Sequence, residues 1–256
     1  MIVDFGKTSA DYARHRLGFP EQFFDAIRER GLASPGSRVL DVGSGTGALA
    51  LPFASRGAHV TALDVSRPLL ECAHRGAADR GLELVTVQSK FENNSLPSNE
   101  FDFICAGQCW HWLEPRAATL QLERLLATNG RVLLCSYDWL PIEGSVVAAT
   151  EALILEHNPG WNWGGLDGRH PEWEHDLTAG GFEVLETAYG EHDAPYTHEA
   201  WRGRIRASAG IAASLSPDAV QAFDRAHEEL LKAEFGEDPL VVPHVYGFCL
   251  ARTAER

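Results

Sequence analysis

Basic side chains are scarce in this chain. Its 256 residues carry 22 Lys and Arg against 36 Asp and Glu, a formal net charge of −14. A surface that negative repels nucleic-acid phosphates and anionic lipid, so neither is expected as a partner. Cysteine is sparse as well. The five present, Cys72, Cys105, Cys109, Cys135 and Cys249, are odd in number and scattered, with no C-x-x-C pair. That pattern excludes a disulfide framework and makes a poor zinc site, so no metal is expected. The opening Met1-Ile2-Val3-Asp4-Phe5 lacks the basic segment and apolar stretch of a secretory leader, and no apolar run is long enough to span a bilayer. These absences lead to the expectation of a soluble, cytoplasmic protein, monomer or homodimer.

What is present is an ordinary globular balance, 45% hydrophobic and 23% charged, in a length that suits one large domain or a nucleotide-binding core with an added cap. Strand-like and helix-like patterns alternate through the first half. Strands are expected over 37–42, 59–63, 82–87, 101–106 and 131–136. Helices are expected over 48–55 and 68–80 and after Pro115, where Ala118, Leu122, Leu125 and Leu126 mark one apolar face. Such alternation implies a parallel sheet covered on both faces.

The second half is less regular. Residues 138–170 are rich in Trp, Gly and Pro, a helix is expected through 173–177, and a strand over 182–185. Two or three helices are expected within 195–236, with Pro217 at a helix start, and a last strand over 240–251 disturbed by Pro243 and Gly247. All seven tryptophans fall between Trp110 and Trp201. Framework residues therefore come early and aromatic, pocket-forming residues late.

The most informative stretch is Val39-Leu40-Asp41-Val42-Gly43-Ser44-Gly45-Thr46-Gly47. Its glycines permit a sharp turn from strand into helix and a close approach of ligand to backbone. Gly43, Gly45 and Ala48 also satisfy the relaxed dinucleotide pattern G-x-G-x-x-G/A, which keeps a nicotinamide or flavin cofactor in view. Asp64, ending the second strand, could accept both ribose hydroxyls of an adenosine under either reading. Asp41 favours one of them. A carboxylate two residues before the first glycine repels a pyrophosphate but suits a cation or an ammonium group.

The stretch VLDVGSGTG, the acidic end of VTALD and the later FDFICAGQCWHWL resemble class I S-adenosylmethionine-dependent methyltransferases, and most of all the branch containing the trans-aconitate and quinone-biosynthesis enzymes (methyltransferase type 11). The N-terminal DYARHRLGFP is similar to a segment of those enzymes that closes over the cofactor. The resemblance implies an α/β fold: a Rossmann-like, seven-stranded, mostly parallel sheet with helices on both faces and a small helical, aromatic cap. It implies a single domain over 1–256, with cofactor-covering helices in 1–36, a cofactor-binding core in 37–137, cap insertions in 138–170 and 191–236, and a last strand in 240–252.

The resemblance also implies site residues. The methionine part of S-adenosylmethionine, or of the product S-adenosylhomocysteine, would lie against Gly43, Ser44, Gly45, Thr46 and Gly47. Asp41 would be near its amino group and Arg16 would meet its carboxylate. Asp64 would hold the ribose and Val65 would pack near the adenine. Where the family usually has an acid after the third strand, this chain has Lys90, so Ser89 or backbone groups near Phe91 are expected to serve the adenine amine. Ala106, Gly107 and Gln108 would line the cofactor.

Methyl transfer from a sulfonium asks the protein to hold the acceptor in line, desolvate it and, for a hydroxyl, remove a proton. His111 lies just past a strand end, where open α/β sheets place their sites, and is the leading general base, with His170 and His244 as alternatives. Tyr12, Trp110, Trp161, Trp163 and Trp173 could wall an acceptor pocket. The glycine-rich segment 158–165 is expected to be a mobile lid. Among Arg202, Arg204 and Arg206, an isolated basic cluster in an acidic chain, Arg204 is taken as a clamp for a carboxylate substrate. The function expected is methyl transfer to an oxygen or carboxylate of a small metabolite. A nicotinamide-dependent oxidoreductase and a non-catalytic cofactor-binding protein stand as alternatives.

Overall fold

The computed structural model describes residues 17–254 apart from 209 and 213, so Tyr12 and Arg16 lie outside the described residues. Seven strands form one sheet: β1 (Arg38–Val42), β2 (His59–Asp64), β3 (Val85–Gln88), β4 (Phe101–Gly107), β5 (Leu126–Trp139), β6 (Phe182–Tyr196) and β7 (Leu240–Thr253). The order is β3-β2-β1-β4-β5-β7-β6. Pairing is parallel from β3 through β5. The order reverses direction between β1 and β4, and in such sheets ligands bind beyond the carboxyl ends of the strands at that point.

Eight α-helices accompany the strands among the described residues: α1 (Glu21–Glu29), α2 (Ala50–Ser55), α3 (Arg67–Ala78), α4 (Pro115–Leu125), α5 (Val146–His157), α6 (Glu172–Ala179), α7 (His198–Arg206) and α8 (Pro217–Glu234). Their starts follow local chemistry. Before α4 the Glu114 carboxylate accepts from the Arg116 and Ala117 amides, and Pro115 occupies the first turn, where its missing N–H costs nothing. Ser145, Thr197 and Ser216 cap α5, α7 and α8 in the same way, each accepting from an amide three residues on. No helix among the described residues is long and apolar enough to cross a membrane.

The chain divides into two compact units. Among the described residues the first comprises 18–137, 170–190 and 246–254; the second is built mainly from 138–169 and 191–245. In the first, alternation along the strands sorts side chains to opposite faces. Leu40, Val42, Ile104, Ala106 and Leu134 join one buried cluster with Leu122, Trp173 and Phe182. Their neighbours Val39, Phe103, Cys105 and Leu133 join another with Phe23, Phe24, Phe53 and Phe248. The second unit has its own core, in which Val147, Ile154, Trp201, Ile205, Phe223 and Leu231 are fully buried.

Several sequence expectations need correction. Helix α5 falls inside 138–170, where none was expected, because VVAATEALILEH lacks the polar face that marks a half-buried helix. Strand β6 extends to Tyr196 instead of ending at Leu185, and its outer half, with Glu191 and Asp193, reads as polar loop. Pro243 and Gly247 do not interrupt β7. Residues 195–236 hold two helices, α7 and α8. In the segment 158–165, expected to be a mobile lid, Trp161 is buried, Asn158 Nδ2 donates to Gly210 O at 2.8 Å, and Gly165 N donates to Glu151 Oε2 at 2.8 Å.

Candidate functional site

The loop between β1 and α2 carries three left-handed residues, Gly43 (φ 62°), Gly45 (φ 55°) and Gly47 (φ 89°). Two of these glycines have separate reasons. A Cβ on Gly43 would lie 2.6 Å from Cys109 Cβ, so the close approach of the β4 loop requires its absence. Gly45 faces open space, with nothing within 4 Å of where a Cβ would stand. Beside it, the Ser44 hydroxyl is buried with no hydrogen-bond partner among the described residues.

Asp41 lies beneath this loop and is 1% exposed. Its Oδ2 accepts from Ala50 N at 3.0 Å, the first amide of α2, and the Cys105 thiol is 3.7 Å from Oδ1. Burial pushes the carboxyl up to about 7, against the opposite pull of these two hydrogen bonds. The same buried setting pushes the Cys105, Cys109 and Cys135 thiols up, so all three are neutral at ordinary pH. Because both carboxyl oxygens have partners inside the protein, Asp41 is in the first instance a brace between β1 and α2.

Asp64 ends β2 and ties two backbone segments together. Oδ2 accepts from Gly45 N at 2.8 Å, and Oδ1 accepts from Ser66 N at 2.7 Å. Next to it Val65, an apolar side chain just past the end of β2, is 61% exposed. Gln88 Nε2 donates to Val65 O at 3.2 Å, and Ser89 N donates to Asp64 O at 3.1 Å, closing this corner from β3. Lys90 is exposed and precedes a single 3-10 turn, Phe91–Asn93. The Phe91 ring is 2% exposed in the core, which leaves the backbone as the part expected to serve a ligand.

At the end of β4, Ala106 is buried and Gly107 packs against Leu49, where an added Cβ would stand 2.7 Å from Cδ1. Gln108 is left-handed at φ 55°, its amide donates to Cys135 O at 2.8 Å, and its side-chain amide donates to Tyr137 O. These residues form a floor beside the glycine loop. His111, on the one-turn helix Trp110–Trp112, is exposed, with its ring 4.7 Å from Trp112.

The aromatic residues expected to wall a pocket divide differently. Trp110 is a core side chain whose indole donates to Asp176 Oδ2 at 2.9 Å, and Trp173 is buried in the same cluster, stacked on His170 at 4.3 Å. Trp161 is buried in the core of the second unit. Only Trp163 of the described members is exposed. Large rings are the most profitable residues to bury, and that took precedence here. His244 is 4% exposed and burial pushes it down to about 4, too weak a base for an ordinary proton abstraction. Arg202 and Arg206 are structural: both bind Asp224 of α8, at 2.5 and 2.6 Å. Sequence reasoning missed Cys109 and Tyr137, which shape the floor through backbone-directed contacts that leave no sequence signal.

This geometry speaks against a dinucleotide. A pyrophosphate would sit on the first amides of α2, but Asp41 already occupies the Ala50 amide and would place a second negative charge there. Among the described residues no group of three or more His, Cys, Asp or Glu could hold a metal ion.

Residues 40–134, which run from β1 into β5, match the family model of a methyltransferase domain. An uncharacterized methyltransferase of Mycobacterium tuberculosis is 30% identical over 132 residues, 52% of this chain and 51% of the relative. The ubiquinone biosynthesis O-methyltransferase of Aeromonas salmonicida is 32% identical over 108 residues, 41% of this chain and 45% of that enzyme. The chain thus spans about half the length of the curated relatives it matches. A candidate type II methyltransferase of Anaeromyxobacter dehalogenans has a similar fold, with a TM-score of 0.67 at 18% identity over 92% of this chain and 96% of that one.

Proposed function

We propose, from the premise that residues 40–134 are a class I S-adenosylmethionine-dependent methyltransferase domain, that the whole chain transfers a methyl group to an oxygen or carboxylate of a small metabolite. The observation that carries this reading is the corner formed by Gly45, Asp64 and Val65. An open-fronted glycine, an acid bonded to its amide and an exposed apolar side chain suit a ribose and an adenine without a phosphate. The orphaned Ser44 hydroxyl beside it fits a polar ligand as well. The O-methyltransferase named for ubiquinone biosynthesis supports an oxygen acceptor.

In this reading Asp64, which accepts from the Gly45 amide, would hold the ribose hydroxyls. Gly43, Ser44, Gly45, Thr46 and Gly47 would hold the methionine part with Asp41 near its ammonium, and Val65 with the Ser89, Lys90 and Phe91 backbone would border the adenine. Arg16 and Tyr12, outside the described residues, would close over it. Ala106, Gly107 and Gln108 would line the floor beneath it. When bound, S-adenosylmethionine supplies a methyl group on an electron-poor sulfur. His111, exposed at the β4 end, is the residue to take a hydroxyl proton, with its Nε2 or Nδ1 as acceptor. Net charge −14 argues against a nucleic-acid acceptor.

Calorimetric titration with S-adenosylhomocysteine, with NADH as the control, tests the assignment. Binding of the first alone is expected. Asp64→Ala and Gly45→Val are expected to lose that binding while keeping the wild-type circular dichroism spectrum. Retained affinity in both variants, or binding of NADH alone, would sink it.

A further inference from the structure

Helix α7 carries three arginines, and two of them are accounted for. Arg202 donates to Asp224 and also pairs with Glu228 at 3.0 Å, while Arg206 pairs with Asp224. Positions 202 and 206 lie four apart and share one side of the helix; 204 is turned away by about 200°. Arg204 makes no ion pair with a carboxylate of the described residues, in a chain where acids outnumber bases and most other surface arginines are paired.

Its surroundings are built. The guanidinium carbon lies 4.9 Å over the Trp139 ring. That ring is fixed in turn, because its indole N–H donates to Glu151 Oε1 at 2.8 Å and the other oxygen of Glu151 takes the Gly165 amide. The Tyr196 hydroxyl contacts the guanidinium, and the Tyr196 ring is stacked on His244 at 5.9 Å. Asp138 acts on Arg204 through its charge without reaching ion-pair distance. Desolvation pushes the guanidinium below its ordinary value, with Tyr196 and Asp138 opposing. The side chain is half-buried, so it has lost much of its hydration yet can still be reached. A desolvated cation of this kind is costly until an anion joins it. A planar, stacked guanidinium matches a carboxylate in a way that an ammonium does not.

We propose that Arg204, seated on Trp139 beside the Tyr196 hydroxyl, is a binding site for a small-molecule carboxylate. The inference goes beyond the methyl-transfer reading above, since every residue that builds this site belongs to the second unit.

Thermal-shift titration of the full chain tests it, with benzoate as the probe, benzamide as its neutral match and inorganic phosphate as a general anion. Benzoate is expected to stabilise the wild type, benzamide and phosphate not. Arg204→Gln is expected to weaken benzoate by roughly tenfold or more, Arg204→Lys less, and Arg67→Gln, on the exposed side of α3, not at all. Should Arg204→Gln fail to fold by circular dichroism, the loss in Arg204→Lys relative to Arg67→Gln decides. Equal response of wild type and Arg204 variants, equal protection by phosphate, or no benzoate response in the wild type overturns the proposal. S-adenosylhomocysteine binding in the same samples separates the two readings: its loss speaks against the cofactor, whereas its retention with no benzoate response removes only the carboxylate site.

Discussion

A buried acid beneath a glycine loop has two consequences that can be measured. Because burial lifts Asp41 to about 7, the folded state keeps a proton that the unfolded state releases above its ordinary value of 3.8. Stability therefore falls as pH rises through that window, by at most about 1.4 kcal/mol per pH unit, and the full penalty stands above pH 7. Asp41→Asn keeps an oxygen for the Ala50 amide and removes the charge. It is expected to melt higher than the wild type at pH 8 and to converge with it near pH 4 in scanning calorimetry; parallel curves would mean the carboxyl is not lifted. A ligand ammonium nearby would favour the ionised form. Binding of S-adenosylhomocysteine at pH 6 is then expected to release a proton, seen as a calorimetric enthalpy that varies with the buffer's ionisation enthalpy. The variant should show no such release.

Between α5, α7 and α8 one hydroxyl organises three elements. Thr150 Oγ1 donates to Val146 O at 2.7 Å, so toward Trp201 Nε1 and His227 Nε2, each at 3.1 Å, it must accept. His227 consequently carries its proton on Nε2, which leaves Nδ1 as a buried acceptor with no hydrogen-bond partner among the described residues. Thr150→Val would strand two buried donors. A loss of about 2–4 kcal/mol is expected in urea unfolding, and less than about 1 kcal/mol would show that the pair is not held this way. Nothing in the sequence announces this junction, since its members are far apart in the chain and each is ordinary in its own segment. The strands β1, β2 and β4 were legible for the opposite reason: strands covered on both faces read as largely apolar runs, here RVLDV, HVTALD and FDFICAG. So was the glycine loop, because its left-handed turns at Gly43, Gly45 and Gly47 need residues without a Cβ. The separate fates of Arg202, Arg204 and Arg206 were not legible, because the acid that claims two of them sits on another helix, and Trp110, Trp161 and Trp173 look alike in sequence whether they line a pocket or fill a core.

For the molecule as a whole, the two units respond to acid with opposite sign. In the second, burial pushes His227 and His244 from 6.5 down to about 4. Between those values the unfolded chain is protonated and the folded one is not, so this stabilisation is present above pH 6.5 and drains as pH falls toward 4. In the first unit Asp41 gains stability over much of the same range. Hydrogen exchange corrected for intrinsic rates is expected to show α8 and the start of β7 opening more readily at pH 5 than at pH 7.5, while β1 and α2 hold or tighten. Uniform loosening of both units would contradict this division.

The tryptophans happen to label that division optically. Trp110, Trp112 and Trp173 belong to the first unit, and Trp139, Trp161, Trp163 and Trp201 to the second. Within each set some indoles are shielded and one is open to solvent, Trp112 in the first and Trp163 in the second. Quenching by an aqueous ion therefore samples one surface lamp per unit and leaves the shielded ones lit. The His111 ring stands 4.7 Å from Trp112, so the emission of that one lamp samples the surroundings of the residue proposed to take the proton.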